Sequence, residues 1–157
     1  MVIDDEVRQC KGLKNILLRE FQGDMEVWDF TMAAEALAFV HSNEVDIIIT
    51  DICMPEMDGL QFMEEAAKEN PGIKVILLTG YAEFEYARKA LTLGALDYLL
   101  KPLNPDRMRA VLEKAFQEIS EERLLASQKE EMRKQLDITL PIYICLLYTS
   151  PSPRDTR

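Results

Sequence analysis

The stretch Val45-Asp46-Ile47-Ile48-Ile49-Thr50-Asp51 decides the fold, because it is a short, β-branched apolar run that ends in a carboxylate. A run of this kind is typical of a strand that is buried on both faces, as in a parallel sheet. Open parallel sheets bind ligands at the edge formed by the carboxyl ends of their strands. Asp51 is therefore predicted to lie at the binding edge of such a sheet.

Three other apolar runs also end in polar residues. The acidic pair Asp4-Asp5 follows Val2-Ile3, Thr79 follows Val75 to Leu78, and Lys101 follows Asp97 to Leu100. Strand-like and helix-like segments alternate five times along the chain, which indicates βαβ units and an α/β fold. Three carboxylates, one hydroxyl and one amine are therefore expected at a single sheet edge.

Composition limits the class of protein. The chain has 157 residues, 48% of them hydrophobic, which suits one ordinary domain with an appendage. A formal charge of -10 argues against direct nucleic-acid binding by this segment. The three cysteines form no paired framework, so a cytoplasmic location is expected. The longest apolar stretch is too short to span a bilayer, and no membrane partner is predicted.

The chain is predicted to divide into three parts. Residues 1–120 form the α/β domain, and the charged segment 121–137 is a helical linker. Residues 138–157 lack a useful periodicity and are expected to be disordered. Their sequence resembles translated sequencing-adapter read-through, so this tail is interpreted as non-native. We expect the native sequence to continue beyond about residue 137 and before residue 1.

The acids at the strand ends suit a magnesium site. Mg²⁺ takes oxygen ligands and typically binds one or two carboxylates together with phosphate oxygens. We expect Asp4, Asp5 and Asp51 to bind Mg²⁺ together with the backbone carbonyl of Cys53. Capping of the first helix is the simpler interpretation of Asp4-Asp5-Glu6 alone, but an acid at the end of the next strand favours the metal.

Asp51 is also the candidate phosphoacceptor, because a carboxylate can attack phosphorus and form an aspartyl phosphate. Phosphoryl transfer asks a protein mainly for positioning and charge neutralisation. Lys101 is expected to pair with one oxygen of the group, and the Thr79 hydroxyl is expected to hydrogen-bond another. Gly80 has no side chain, so it is predicted to leave the pocket open. Lys101-Pro102 is a candidate cis peptide.

Four motifs in order resemble the receiver domain of a two-component response regulator, over residues 1 to about 120. They are Val2-Ile3-Asp4-Asp5-Glu6, Thr50-Asp51-Ile52-Cys53-Met54-Pro55-Glu56-Met57-Asp58-Gly59, Leu77-Leu78-Thr79-Gly80 and Asp97-Tyr98-Leu99-Leu100-Lys101-Pro102. The resemblance implies a flavodoxin-like (βα)5 doubly wound parallel sheet with strand order 2-1-3-4-5.

The same resemblance implies a function. Asp51 would take a phosphoryl group from a sensor histidine kinase with the help of Mg²⁺. The domain would catalyse only its own phosphorylation and dephosphorylation, and would otherwise not be an enzyme. Thr79 and Tyr98 would act as a switch pair that changes the face built from the fourth helix, fifth strand and fifth helix. Homodimerisation on phosphorylation is a possible output step.

The sequence of residues 78–87, Leu-Thr-Gly-Tyr-Ala-Glu-Phe-Glu-Tyr-Ala, is similar to that of receiver domains that precede an AraC-type helix-turn-helix domain. This similarity implies control of transcription by the intact parent protein.

Two other functions fit part of the pattern. A magnesium-dependent phosphohydrolase of the haloacid-dehalogenase type also uses an Asp nucleophile with a Ser/Thr and a Lys. That class needs a second acid two residues after the nucleophile as a general acid, and Cys53 stands there instead. The other alternative is an interaction domain of the same shape that is never phosphorylated.

Overall fold

The computed structural model describes residues 1–23, 25–80 and 83–149, and within these ranges it describes side chains as far as residue 136. The chain falls into two compact units, Met1–Gln117 and Glu118–Arg157. The first unit contains the whole sheet, and the second contains the remainder of the last helix.

Strands and helices alternate along the described residues. Their bounds are β1 Val2–Ile3, α1 Val7–Glu20, β2 Asp29–Phe30, α2 Ala33–Ser42, β3 Ile47–Asp51, α3 Gly59–Glu69, β4 Lys74–Thr79, α4 Phe84–Thr92, β5 Asp97–Leu100 and α5 Pro105–Thr149. All pairings between neighbouring strands are parallel, and the order in the sheet is β2-β1-β3-β4-β5. The predicted doubly wound fold is confirmed.

The apolar strands divide their side chains between two cores, because successive residues of a strand point to opposite faces. In β4, Val75 and Leu77 belong to the core under α2, α3 and α4, which includes the fully buried Phe62. Ile76 and Leu78 belong to the core under α1 and the first turns of α5. Both faces of the central strands are thus buried, which explains why their sequences show no polar alternation.

Side chains cap the start of α3 and of α5. The Asp58 side chain accepts a hydrogen bond from the Gln61 backbone N–H at 2.8 Å and forms a capping box at the start of α3. The Asn104 side chain accepts from the backbone N–H groups of Asp106 and Arg107, at 2.9 and 3.3 Å. These caps define the first residues of α3 and α5.

The C-terminal segment differs from the prediction. Residues 121–137 are helical as expected, but the backbone of α5 continues as helix to Thr149, where disorder was predicted from residue 138. An α-helix satisfies its backbone by local hydrogen bonds, so a missing apolar periodicity does not prevent a helical backbone. Residues 150–157 lie outside the described part of the chain. Across the described residues, no helix has the length and apolar character needed to cross a membrane.

Gly59 allows α3 to begin directly against β3. Its backbone N–H donates to the Ile52 carbonyl at 2.8 Å. A Cβ atom at this position would lie 2.7 Å from the Asp51 carbonyl oxygen and 3.0 Å from the Ile52 Cα. Both neighbours are backbone atoms, so they cannot move aside as a flexible side chain can. A glycine is therefore required to bring α3 this close to the strand that carries Asp51.

We expect Gly59→Ala to lower the free energy of unfolding by about 1–3 kcal/mol, because the added methyl group overpacks a backbone contact. Gly12→Ala is the matched control, since Gly12 lies in α1 and nothing is within 4 Å of the position that its Cβ would take. The control should be neutral or stabilising by up to about 1 kcal/mol, because alanine favours a helix interior. Urea denaturation of both variants measures the difference, and equal stability would contradict the prediction.

Candidate functional site

Strand register brings the predicted acids to one level at the carboxyl edge of the sheet. Ile3 is paired with Thr50, so the next residues, Asp4 and Asp51, leave neighbouring strands side by side. Thr79 is paired with Leu100, and the Lys101 backbone N–H donates to the Thr79 carbonyl at 2.8 Å. The polar residues at the ends of four different strands therefore meet at one edge, as predicted.

Lys101 joins the two buried carboxylates. Asp4 and Asp51 are 1% and 8% exposed, which is unusual for ionisable residues. The Lys101 Nζ atom donates to Asp51 Oδ2 at 3.1 Å and lies 3.4 Å from Asp4 Oδ2. A third acceptor, Gln9 Oε1, lies at 2.9 Å. The ammonium group thus compensates two carboxylates that have been removed from water.

The pKa values at the site reflect this balance. Burial raises the pKa of Asp4 above its usual value, and the Glu6 N–H and the Lys101 charge act against that rise. Burial works against the charged form of Lys101, but the hydrogen bond to Asp51 and the charges of Asp51 and Asp4 outweigh it and raise its pKa. The amine therefore stays cationic at neutral pH, as a partner of a phosphoryl oxygen must.

The carboxylates form a donor set that fits a hard divalent cation. One oxygen from each of Asp4, Asp5 and Asp51 lies within 4.8 Å of the others. Carboxylate oxygens are the hard donors that Mg²⁺ binds, and the ion typically takes one or two of them together with waters and phosphate oxygens. Asp5 is exposed, which leaves the set open to solvent on one side. The Cys53 backbone carbonyl stays a predicted ligand, and Cys53 lines a shallow cavity together with Asp5.

Thr79 and Gly80 stand beside the acids at the end of β4. Thr79 is fully buried, and its hydroxyl donates to the Gly80 carbonyl at 2.9 Å. A Cβ atom at Gly80 would lie 3.2 Å from Glu83 Oε2, so the Glu83 carboxylate lies on the side of Gly80 that carries no side chain.

Cys53 has a protonated side chain at neutral pH. Burial raises the pKa of its thiol to about 11, and the hydrogen bond to Glu83 and the nearby negative charges add to the shift. A thiol in that state is neither a good nucleophile nor a general acid of the strength that phosphomonoester hydrolysis needs. This geometry does not favour the phosphohydrolase alternative.

Tyr98 lies in β5, in register with Leu77. Its side chain is half-buried and packs against the core, and its ring meets the Phe84 ring edge to face, with centroids 5.9 Å apart. The contact with Phe84 connects β5 to the first turn of α4.

Two residues at the site were missed in the sequence analysis. Gln9 accepts a hydrogen bond from Lys101 and donates to Glu6 Oε2 at 2.8 Å, and Glu83 accepts from the Gly80 N–H at 2.6 Å. Glu83 stands three residues after Gly80, and this spacing is the available signal in the sequence, because a Glu at that distance can reach back to a backbone N–H.

The fold and site define a class of protein: a doubly wound parallel α/β domain with buried acids and a lysine at the carboxyl edge of its sheet. The family model for the response regulator receiver domain matches residues 1–113, and the chain belongs to that family. It is thus a receiver domain of a two-component response regulator. Receiver domains interact with histidine kinases and are signalling domains rather than enzymes in the ordinary sense.

Proteins of similar sequence carry the names of transcriptional regulators. The transcriptional regulatory protein ZraR of Escherichia coli (strain K12) is 37% identical over 121 residues, which are 74% of this chain and 26% of ZraR. The uncharacterized transcriptional regulatory protein YesN of Bacillus subtilis (strain 168) is 30% identical over 137 residues, 87% of this chain and 37% of YesN. The chain spans only about a quarter to a third of the length of these relatives.

Solved structures agree with the family. The REC domain of AraT, a response regulator from Geobacillus stearothermophilus, is 37% identical with a TM-score of 0.70, covering 78% of this chain and 95% of that one. A response regulator receiver domain protein from Clostridium thermocellum is 33% identical with a TM-score of 0.68, covering 79% and 95%.

Proposed function

We propose that this receiver domain accepts a phosphoryl group on Asp51 from a sensor histidine kinase. The observation that carries the proposal is the convergence of Asp4, Asp5 and Asp51 within 4.8 Å, with the Lys101 amine bonded to Asp51. An isolated acidic cluster would only bind cations. A cation site with an ammonium group beside one of its carboxylates also supplies what phosphoryl transfer requires.

The transfer forms one bond and breaks one. An Asp51 carboxylate oxygen bonds to phosphorus as the phosphorus–nitrogen bond to the donor histidine breaks, and the imidazole leaves with the electron pair and takes up a proton. With a small acyl phosphate as donor, the carboxylate of the acyl group leaves instead. The Asp51 carboxylate is the nucleophile of this attack, and the Lys101 ammonium group lies 3.1 Å from its Oδ2 atom.

Asp4, Asp5 and Asp51 would hold Mg²⁺, with the Cys53 carbonyl as a further ligand. Bound there, the ion would neutralise charge on the carboxylates and on the transferring group. Lys101 would keep its contact with Asp51 and bind a phosphoryl oxygen as a mobile point charge. The buried Thr79 hydroxyl, which now donates to the Gly80 carbonyl, is positioned to turn toward another phosphoryl oxygen.

The phosphoryl group would change the face made by α4, β5 and α5. It brings about -1.5 to -2 units of charge and three acceptor oxygens, which favour a new position for Thr79. The space that Thr79 leaves would admit a rotated Tyr98, and that rotation would break the ring contact with Phe84. The result is a shift between two packings, with homodimerisation as the proposed output step.

For the intact parent protein we propose control of transcription in the cytoplasm. The names of ZraR and YesN support a transcriptional output. The sequence of residues 78–87 supports fusion to an AraC-type helix-turn-helix domain.

Asp51→Asn should abolish labelling by acetyl phosphate and Mg²⁺, whereas the unmodified chain should gain one phosphoryl group by intact mass. Asp58→Asn is the matched control, because an asparagine caps α3 as well as an aspartate and lies in the same loop. Equal labelling of both variants, or none in the unmodified chain, would contradict the proposal. Steady turnover of a generic phosphomonoester would favour the phosphohydrolase instead.

Asp5→Asn should weaken Mg²⁺ binding by about tenfold or more, because an exposed ligand is lost without damage to the core. Glu6→Gln removes the same charge one residue away from the cluster and should leave the affinity nearly unchanged. Isothermal titration with Mg²⁺ alone measures both, and an unchanged Asp5→Asn affinity would remove Asp5 from the site.

Tyr98→Ala should be phosphorylated normally but lose most beryllofluoride-dependent dimerisation, because no ring is left to rotate into the space that Thr79 vacates. Tyr98→Phe keeps a ring that can make this rotation and should retain dimerisation. Light scattering with and without beryllofluoride compares them. Full dimerisation of Tyr98→Ala would exclude the switch role.

A further inference from the structure

Glu83 ties together the two loops that border the site. Its Oε2 atom accepts a hydrogen bond from the Gly80 N–H at 2.6 Å, in the loop between β4 and α4. Its Oε1 atom accepts from the Cys53 thiol at 3.3 Å, in the loop between β3 and α3. One carboxylate therefore contacts both the residue after Thr79 and the second residue after Asp51.

The Gly80 N–H is a donor at the edge of the phosphoryl-transfer site. Leu78 is in register with Asp51, so Gly80 is the first residue of the chain beyond the strand end, next to Thr79. Backbone N–H groups exposed at such turns are good partners for an oxyanion. In the structure the oxyanion is the Glu83 carboxylate, at a short, charge-assisted distance.

Position and charge make Glu83 a competitor of an incoming anion. Its Oε2 atom lies 3.2 Å from the place of a Gly80 Cβ, over the opening that the glycine leaves. It also adds a negative charge beside a site that already contains three carboxylates. A phosphoryl group on Asp51 would face repulsion from Glu83 and would offer the Gly80 N–H a stronger acceptor.

We propose that Glu83 is a positioning residue of the phosphoryl-transfer site, and that its carboxylate occupies the Gly80 N–H until an arriving phosphoryl group displaces it. The inference rests on the proposed phosphorylation of Asp51. The N–H exchanges one anionic acceptor for another, so the exchange leaves no unpaired donor. Departure of Glu83 also breaks its contact with Cys53, which separates the two loops and frees the start of α4.

The consequence is an affinity penalty that Glu83 imposes on any phosphoryl-like ligand. Beryllofluoride with Mg²⁺ serves as the probe, because it bonds to the aspartate and needs no kinase. Glu83→Ala removes the competing acceptor and the charge, and should bind beryllofluoride on the order of tenfold more tightly, the value of one charge-assisted hydrogen bond. Glu83→Gln keeps an acceptor but no charge, and should show a smaller gain.

Glu85→Gln is the matched control. It removes the same charge two residues away, from a side chain that is 83% exposed and pairs with Arg88. Beryllofluoride affinity should be unchanged in this variant. A gain equal to that of Glu83→Gln would mean that net charge acts alone, and the positioning role would be overturned.

The Gly80 amide signal in a ¹H–¹⁵N spectrum tests displacement directly. Without ligand, the Gly80 proton should move upfield in Glu83→Ala relative to the unmodified chain, because a short bond to a carboxylate is lost. With saturating beryllofluoride the two Gly80 signals should coincide, since Glu83 has left in both. A difference that persists in the bound state, or equal affinity of the two proteins, would overturn the inference. If neither protein binds beryllofluoride, the proposed phosphorylation of Asp51 fails instead.

Discussion

The ammonium group of Lys101 between the carboxylates of Asp4 and Asp51 is the interaction on which the site depends. Two acids that are almost completely buried would repel each other and favour protonation, and Lys101 provides the opposite charge at 3.1 and 3.4 Å. The same arrangement puts a cation beside the proposed phosphoacceptor, where a phosphoryl oxygen would arrive. The contact of Lys101 with Asp51 therefore both compensates a buried charge and places the amine for the proposed phosphoryl transfer.

The sheet brings these groups together from distant parts of the chain. Lys101 lies 50 residues after Asp51 and 97 residues after Asp4 in sequence, and only parallel pairing with a fixed register places them at one level. Gly59 supports that geometry from outside the cluster, because α3 must begin within contact of the Asp51 backbone. The register and the close helix together hold the phosphoacceptor at the edge of the sheet.

Glu83 connects the same edge of the sheet to the start of α4. It is connected to Gly80 and Cys53, and α4 begins at the next residue, Phe84, whose ring meets Tyr98. The path from the acidic cluster to the α4–β5 surface is thus short and consists of direct contacts. A change at Asp51 can reach that surface through these contacts. In the proposed order, the Glu83 carboxylate first leaves the Gly80 N–H, and the Tyr98 ring then changes its packing.

The fold class and the positions of the acidic cluster can be predicted from the sequence. Apolar runs that end in Asp51, Thr79 and Lys101 are local patterns, and the rule that strand ends meet at one edge converts them into a site. The tertiary structure decided what depends on the arrangement of side chains and partners. The length of β2 is one example: only Asp29 and Phe30 pair in register with β1, which is itself two residues long. Likewise, the carboxylate of Glu83 fills the space above Gly80, because loop geometry and the competition of donors for acceptors exist only in the folded chain.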